Sequence, residues 1–397
     1  MDSSVIRSHK HRHQAIRHYS HLDQQIIVYT RRRPSMEKTE LYALGSNGSG
    51  QLGLGHDEDV SGPTLVALPA GVAQHHIEQI TAGGNHTLIL TEAGDVYASG
   101  SNAGNRCGLG INKNCSLSFQ RVRLSYEAVQ NITVDMCAAT WDASVFVTSY
   151  GILVCGTGSK GELGLGKGII TASEPALIEG FPPEDTDVVH IVACMGHVVA
   201  VLSNGDVYGW GTGRHGQLGQ PQEDVWSPRK VEGIPFRASG AVCGKDFTCV
   251  YSHPDEGHFM LLGPGKRDRF NVRESVPRVL PGWKNICASW GSILALMPSG
   301  EVLGWGRNDH GQLPPPNVPK LRAIHAGSEH ILAFDHIGQV LTWGWGEHGN
   351  CAQPVDDQSD VKGRWNTLKS PSTGSISLIA AGCATSFFAT SQAQGPT

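Results

Sequence analysis

The sequence predicts an all-β chain folded as a seven-bladed propeller, and three observations carry the prediction. Glycine fills 50 of 397 positions, about twice its ordinary usage. That density suits chains of tight turns better than helices, whose interiors glycine weakens. A two-part pattern recurs seven times along the chain, and periods of this length mark repeat architectures. Within each copy apolar residues alternate with polar ones, which is the period of a strand.

In chain order, residues 1–35 come first and stand apart from the rest. They hold His9, His11, His13, His18 and His21 and the Arg31-Arg32-Arg33 run, with seven basic and two acidic residues before Met36. A disordered basic leader, or one that is not always translated, is the expectation; nuclear import, nucleic-acid or metal binding and mitochondrial targeting are its competitors. Residues 36–392 read as one propeller and 393–397 as a tail.

The first half of each repeat is an apolar strand running into glycines, as in LYALGSNGSGQLGLG (41–55), VYASGSNAGNRCGLG (96–110), ILVCGTGSKGELGLG (152–166) and VYGWGTGRHGQLGQ (207–220). Weaker copies occupy 259–270, 302–314 and 340–352. The strand-ending glycines are Gly45, Gly100, Gly156, Gly211, Gly263, Gly306 and Gly344, separated by 55, 56, 55, 52, 43 and 38 residues. The second half reads I-x-A-G-x-x-H-x-L-x-L-x-x-x-G, seen in ITAGGNHTLILTEAG (80–94) and IHAGSEHILAFDHIG (324–338). Its other copies lie at 137–151, 191–205, 242–257, 286–300 and 379–391.

Alternation such as Leu88 and Leu90 against Thr87, Ile89 and Thr91 implies half-buried strands, and the glycine-bearing endings supply the turns between them. A unit of about 50 residues cannot bury both sheet faces alone and must stack on neighbours. A closed ring also hides the terminal edges, so closure places the strand near residue 41 beside the chain end at 376–390.

Bulk properties narrow the function. The chain carries a net charge of −5, but without the leader the remainder has 24 basic and 34 acidic residues, a sign that repels a phosphate backbone on average. The propeller is therefore not expected to bind nucleic acid directly. No apolar run approaches the length of a membrane span. The ten cysteines form no CxxC pair, which favours a reducing compartment and no zinc site. The expected location is the cytoplasm, with the nucleus as a second compartment. GSNGSG and GTGSKG lack the lysine-serine that a phosphate-binding loop requires, and no G-x-S-x-G or H-E-x-x-H motif is present. No catalytic, cofactor-binding or metal-binding residue is assigned, and no enzyme activity is expected.

His86, His197 and His330 share one repeat position. Equivalent positions in a ring lie far apart, so a structural role is expected, in which side chain or backbone ties a strand to the preceding glycine loop. Trp210, Trp305 and Trp343 precede strand-ending glycines and are expected to pack within or between blades. Trp141 and Trp290 differ, because their equivalents are Gly84, Met195 and Ser328, and packing does not demand an indole there. They share a turn window near the central channel with Asn85, Asp142 and Glu329, and aromatic residues beside acidic ones make a protein-binding patch. Asp57, Glu58 and Asp59 form an acidic loop suited to steering a basic partner. Trp226 and Trp345 are weaker candidates.

The paired halves resemble the repeats of the regulator of chromosome condensation family, over about 40–390. The resemblance implies a seven-bladed propeller of four-stranded blades closed by strands from both termini. Residues 40–63 and 80–110, with His56-Asp57-Glu58-Asp59, are similar to the fungal killer-toxin-insensitivity, or alpha-tubulin suppressor, branch. That similarity implies a non-catalytic partner of a small zinc-binding electron carrier of diphthamide synthesis, forming a heterodimer with it. It also implies an indirect link to Elongator and its modification of wobble uridines in transfer RNA. Zinc or iron then resides in the partner only. The alternative within the family is a guanine-nucleotide exchange factor for a small nuclear GTPase.

Overall fold

The computed structural model describes residues 37–393 apart from 74, 266 and 267. The leader 1–35 and, beyond Ala393, the tail 393–397 lie outside the described residues. Seven of the eight antiparallel sheets among the described residues follow one another around an axis as blades, the eighth being the hairpin of Ser125–Tyr126 and Val129–Gln130. Blade 1 is Ile77–Ala82, His86–Thr91, Val96–Ser101 and Cys115–Arg121; blade 2 is Val134–Ala139, Ala143–Thr148, Gly151–Thr157 and Thr171–Leu177. Blade 3 is Val188–Cys194, His197–Leu202, Val207–Gly211 and Val225–Lys230. Blade 4 (Gly240–Cys243, Thr248–Tyr251, Phe259–Leu262) and blade 5 (Asn285–Ala288, Ser292–Leu296, Val302–Gly306) have three strands each. Blade 6 is Leu321–Ala326, His330–Asp335, Val340–Trp345 and Asp360–Leu368.

Blade 7 closes the ring with both ends of the chain. Ser375–Ala381 and Thr385–Ala393 are followed in the sheet by Glu37–Gly45 and Val60–Leu65. Leu41 pairs with Ala389, Tyr42 with Phe388 and Ala43 with Phe387, so the closure expected from the sequence is present. The first strands of successive blades abut all the way round, from blade 7 back to blade 1. They line the axis, and the fourth strands form the rim.

Four-stranded blades are expected throughout, and blades 4 and 5 depart from that. The short spacings after Gly263 and Gly306 leave too little chain for a fourth strand. Blade 4 keeps a remnant, in which the Phe259 N–H donates to the Arg278 carbonyl at 2.9 Å and His258 bridges Val279. Trp283 and Phe259 fill the space beneath it.

The second strands are not half-buried. His86–Thr91, Ala143–Thr148, His197–Leu202 and His330–Asp335 are buried at every residue. Alternation sorts side chains between two neighbours instead of between core and solvent. Leu88 and Leu90 pack with Phe146 and Leu153 of blade 2, whereas Ile89 packs with Leu41 and Phe387 of blade 7. Apolar clusters bridge each remaining pair of adjacent blades as well. The hydrophobic core is therefore a ring of inter-blade layers.

The strand-ending glycine is required by close backbone approach. Gly100 has φ +102, and a Cβ there would lie 2.4 Å from the Asn85 carbonyl oxygen. The same carbonyl accepts the Ser101 N–H at 2.8 Å. Gly211 repeats the arrangement with φ +99 and the Gly196 oxygen at 2.3 Å. The glycine thus locks the third strand onto the turn between the first two.

Candidate protein-docking face

Strand direction puts two loop families on one side of the ring: the turns between first and second strands, near the axis, and the glycine loops between third and fourth strands, nearer the rim. The shared carbonyls at Asn85 and Gly196 join the two families directly. All eight sequence-predicted contact residues lie on this loop face, since Asn85, Trp141, Asp142, Trp290 and Glu329 occupy the inner turns and Asp57, Glu58 and Asp59 the blade 7 glycine loop.

At the axis, Trp141 of blade 2 and Trp290 of blade 5 come from opposite sides of the ring and meet. Their ring centroids are 5.9 Å apart, tilted by 40°. Lys245 places its ammonium 5.7 Å from the Trp290 ring centroid, an electrostatically favourable arrangement. The two indoles meet across this end of the ring. Backbone bonds seal the turns around them. The Gly84 N–H donates to the Trp141 carbonyl at 3.0 Å, Trp141 N–H to Met195 at 2.7 Å, Lys245 N–H to Trp290 at 2.9 Å and Trp290 N–H to Ser328 at 2.9 Å. Blade 1 carries glycine in this window for a reason: a Cβ on Gly84 would lie 2.6 Å from the Trp141 ring.

The acidic residues have separate fates. Asp142 is half-exposed and pairs with Arg106 at 2.7 Å. Asp57 and Glu58 are exposed. Asp59 accepts the Asn47 N–H at 2.7 Å and lies 2.9 Å from His348 Nδ1 of blade 6, so it also fastens the closing blade to its neighbour. Glu329 corrects the expectation of an exposed contact. It is 3 % exposed, bonded by Gln312 Nε2 at 2.8 Å and by Arg307. Burial pushes its carboxyl above the ordinary carboxylate range, against the pull of Gln312 and Arg307. The blade 5 loop reaches over this turn and covers it.

The histidine position does more than tie its strand to the glycine loop. Backbone bonds do tie it to the glycine loop, as in Gly83 N–H to the His86 carbonyl at 2.9 Å. The side chains, however, reach the next blade: His86 Nε2 lies 3.0 Å from Ser144 Oγ, His197 Nε2 3.0 Å from Thr248 Oγ1, and His330 Nε2 2.9 Å from Ser386 Oγ. Ser144 Oγ passes its own hydrogen to the Arg106 carbonyl at 2.5 Å, which leaves Nε2–H as the donor and Nδ1 as a buried acceptor without a partner. Burial holds His86 and His330 at about 3 and His197 at about 4. Trp210 and Trp343 are buried and donate to the carbonyls of Glu162 and Gln312 at 3.1 and 3.2 Å. Trp305, Trp226 and Trp345 are half-buried.

Sequence reasoning missed a second feature of this face. An open recess of about 310 Å³ sits between blades 2 and 3, with Trp141, Asp142, Glu162, Ile170 and Met195 in its lining. Ile170 is 51 % exposed, and Ile169 beside it and Ile111 in the blade 1 loop are exposed too. The signal was available in GELG (161–164), where sister loops read GQLG at 50–53 and 216–219. Among the described residues, no group of three or more His, Cys, Asp or Glu side chains is placed to hold a metal ion.

A seven-bladed ring built of two-part glycine repeats and closed by both chain ends defines a regulator-type propeller. The RCC1-like domain matches residues 40–390, and the chain belongs to that family. An RCC1 repeat-containing protein of Schizosaccharomyces pombe is 31% identical over 366 residues, which cover 87% of this chain and 97% of the relative. The secretion-regulating guanine nucleotide exchange factor of Mus musculus is 30% identical over 302 residues, covering 69% of this chain but only 61% of that longer protein. The crystal structure of Prp20p from Saccharomyces cerevisiae superposes with a TM-score of 0.75 at 21% identity over 94% of each chain, a likeness of fold.

Proposed function

We propose that this chain is a non-catalytic docking and regulatory protein that binds one small protein partner on its loop face. One observation carries the reading. Trp141 and Trp290, three of the four exposed isoleucines among the described residues (Ile111, Ile169 and Ile170) and the exposed Asp57 and Glu58 lie on one face of the ring, with Ile337 on the other. A preformed surface of this kind limits the ordering cost of association.

A small GTPase is the partner class that the relatives favour, since the mouse relative is named as a guanine nucleotide exchange factor. Exchange needs no covalent chemistry from the propeller, only preferential binding of the nucleotide-free partner. A second reading rests on the resemblance of residues 40–63 and 80–110 to the killer-toxin-insensitivity branch. There the chain forms a heterodimer with the small zinc-binding carrier of diphthamide synthesis and supports Elongator indirectly, in the cytoplasm and nucleus.

Two assays on the purified full chain separate them. Accelerated release of labelled nucleotide from a captured small GTPase supports exchange. A stoichiometric complex with a small four-cysteine zinc protein, with nucleotide release unchanged, supports the second reading. Capture of neither overturns the docking proposal.

A further inference from the structure

We propose that the recess between blades 2 and 3 is an anchor site for a single basic side chain, an arginine or lysine presented by the partner; this deepens the docking reading and rests on it. The chain's own repeats provide the control. In three sister loops a glutamine caps the glycine turn: Gln51, Gln217 and Gln312 Oε1 accept the N–H of Ser49, His215 and His310 at 2.9, 2.9 and 3.0 Å. In blade 2 the same bond runs from the Lys160 N–H to Glu162 Oε2 at 2.6 Å. A neutral amide does this work elsewhere, so the turn does not call for the negative charge of Glu162.

The repeat does not require the indole beside it either: at the equivalent positions Gly84, Met195 and Ser328 lack an indole, and only Trp290, which Trp141 meets, shares it. These two departures from the repeat line the same recess, with the half-exposed Ile170. The other carboxylate there, Asp142, is already paired with Arg106. Among the described residues, the charged groups that act on Glu162 are the exposed Lys160 and the Arg214-paired Asp224, and partial burial raises its pKa. A largely polar recess that holds a half-buried carboxylate together with Ile170 and Trp141 matches a long basic side chain, whose methylenes lie on Ile170 and Trp141 while its head pairs with the carboxylate. The indole adds cation–π attraction.

The probe is N-acetyl-argininamide, titrated into the full chain by NMR and compared with its neutral isostere N-acetyl-citrullinamide. Saturable shifts of the Trp141 indole N–H with the arginine compound, and at least tenfold weaker binding of the citrulline compound, are expected. Glu162→Gln should weaken the arginine compound at least tenfold while leaving the melting temperature unchanged, because glutamine caps the sister loops. Trp141→Met, which installs the blade 3 residue, should weaken it several-fold. Equal binding of the two compounds, no binding, or full affinity in Glu162→Gln overturns the anchor. Any of these leaves capture of a protein partner intact, and failure of capture with normal arginine binding removes the docking reading instead.

Discussion

The inter-blade histidines make the ring sensitive to acid, and His330→Gln isolates the effect. An imidazole in the unfolded chain titrates near 6.5, whereas His330 is held at about 3 in the fold by burial and by nearby His325. Above pH 6.5 the ring is neutral in both states and contributes no pH dependence. Below it the unfolded chain takes up a proton that the folded chain refuses, so stability falls as pH drops from 6.5 towards 3. At pH 5 the gap is about 1.5 pH units, or about 2 kcal/mol for this residue. Glutamine can still donate to Ser386 but does not titrate. Urea denaturation followed by tryptophan fluorescence at pH 7 and pH 5 should show wild type losing about 2 kcal/mol more than the variant over that interval. Comparing the two losses cancels any constant cost of the substitution. Equal losses in both proteins would refute the assignment of His330 as a buried neutral donor. His86 and His197 act in the same direction, so the three together remove about 6 kcal/mol by pH 5, a large share of a domain's stability.

Other consequences are equally open to measurement. Gly211→Ala forces a Cβ against the Gly196 carbonyl at positive φ and should cost about 3 kcal/mol; a loss under 0.5 kcal/mol in urea would show that the strand-to-turn lock is dispensable. A double-mutant cycle with His86→Ala and Ser144→Ala should give a coupling of about 1 kcal/mol, and zero coupling would break the proposed inter-blade link. Native labelling with a small maleimide, read by mass spectrometry, should modify exposed Cys115 first and spare Cys155, whose buried thiol is pushed well above its ordinary value. Labelling of Cys155 before urea is added would contradict the packing between blades 1 and 2.

The ring was legible because its signals are local and repeated: each glycine at the end of a third strand meets the same carbonyl, and seven copies reinforce one another. Closure followed from the unpaired ends. The three-stranded blades were visible only as short spacings, since sequence does not say which strand a deletion removes. The burial of Glu329 was not legible, because the Arg307 that covers it arrives from another blade. The histidine bonds were hidden for the same reason, although pairs of blades carry a trace of them. Where His86, His197 and His330 stand, the next blade offers Ser144, Thr248 and Ser386. Where Ala143 or Phe247 stands, it offers Val198 or Ile293. The meeting of Trp141 and Trp290 required the ring itself, which brings residues three blades apart into contact. Glu162 is legible as a departure from the glutamine at 51, 217 and 312, but the recess beside it is not, because the lining comes from 140–142, 157–171 and Met195 together.

Which side of the ring a partner covers tests the account most directly. Amide hydrogen exchange of the complex with either a small GTPase or the small zinc protein reports this residue by residue. Slowed exchange is expected in the loop face, at 46–59, 140–142, 158–170 and 289–291, with no change in the opposite turns at 92–95, 203–206 and 336–339. Protection confined to those opposite turns, with the tryptophan turns and the 158–170 loop exchanging as in the free chain, would contradict the loop face as the docking surface.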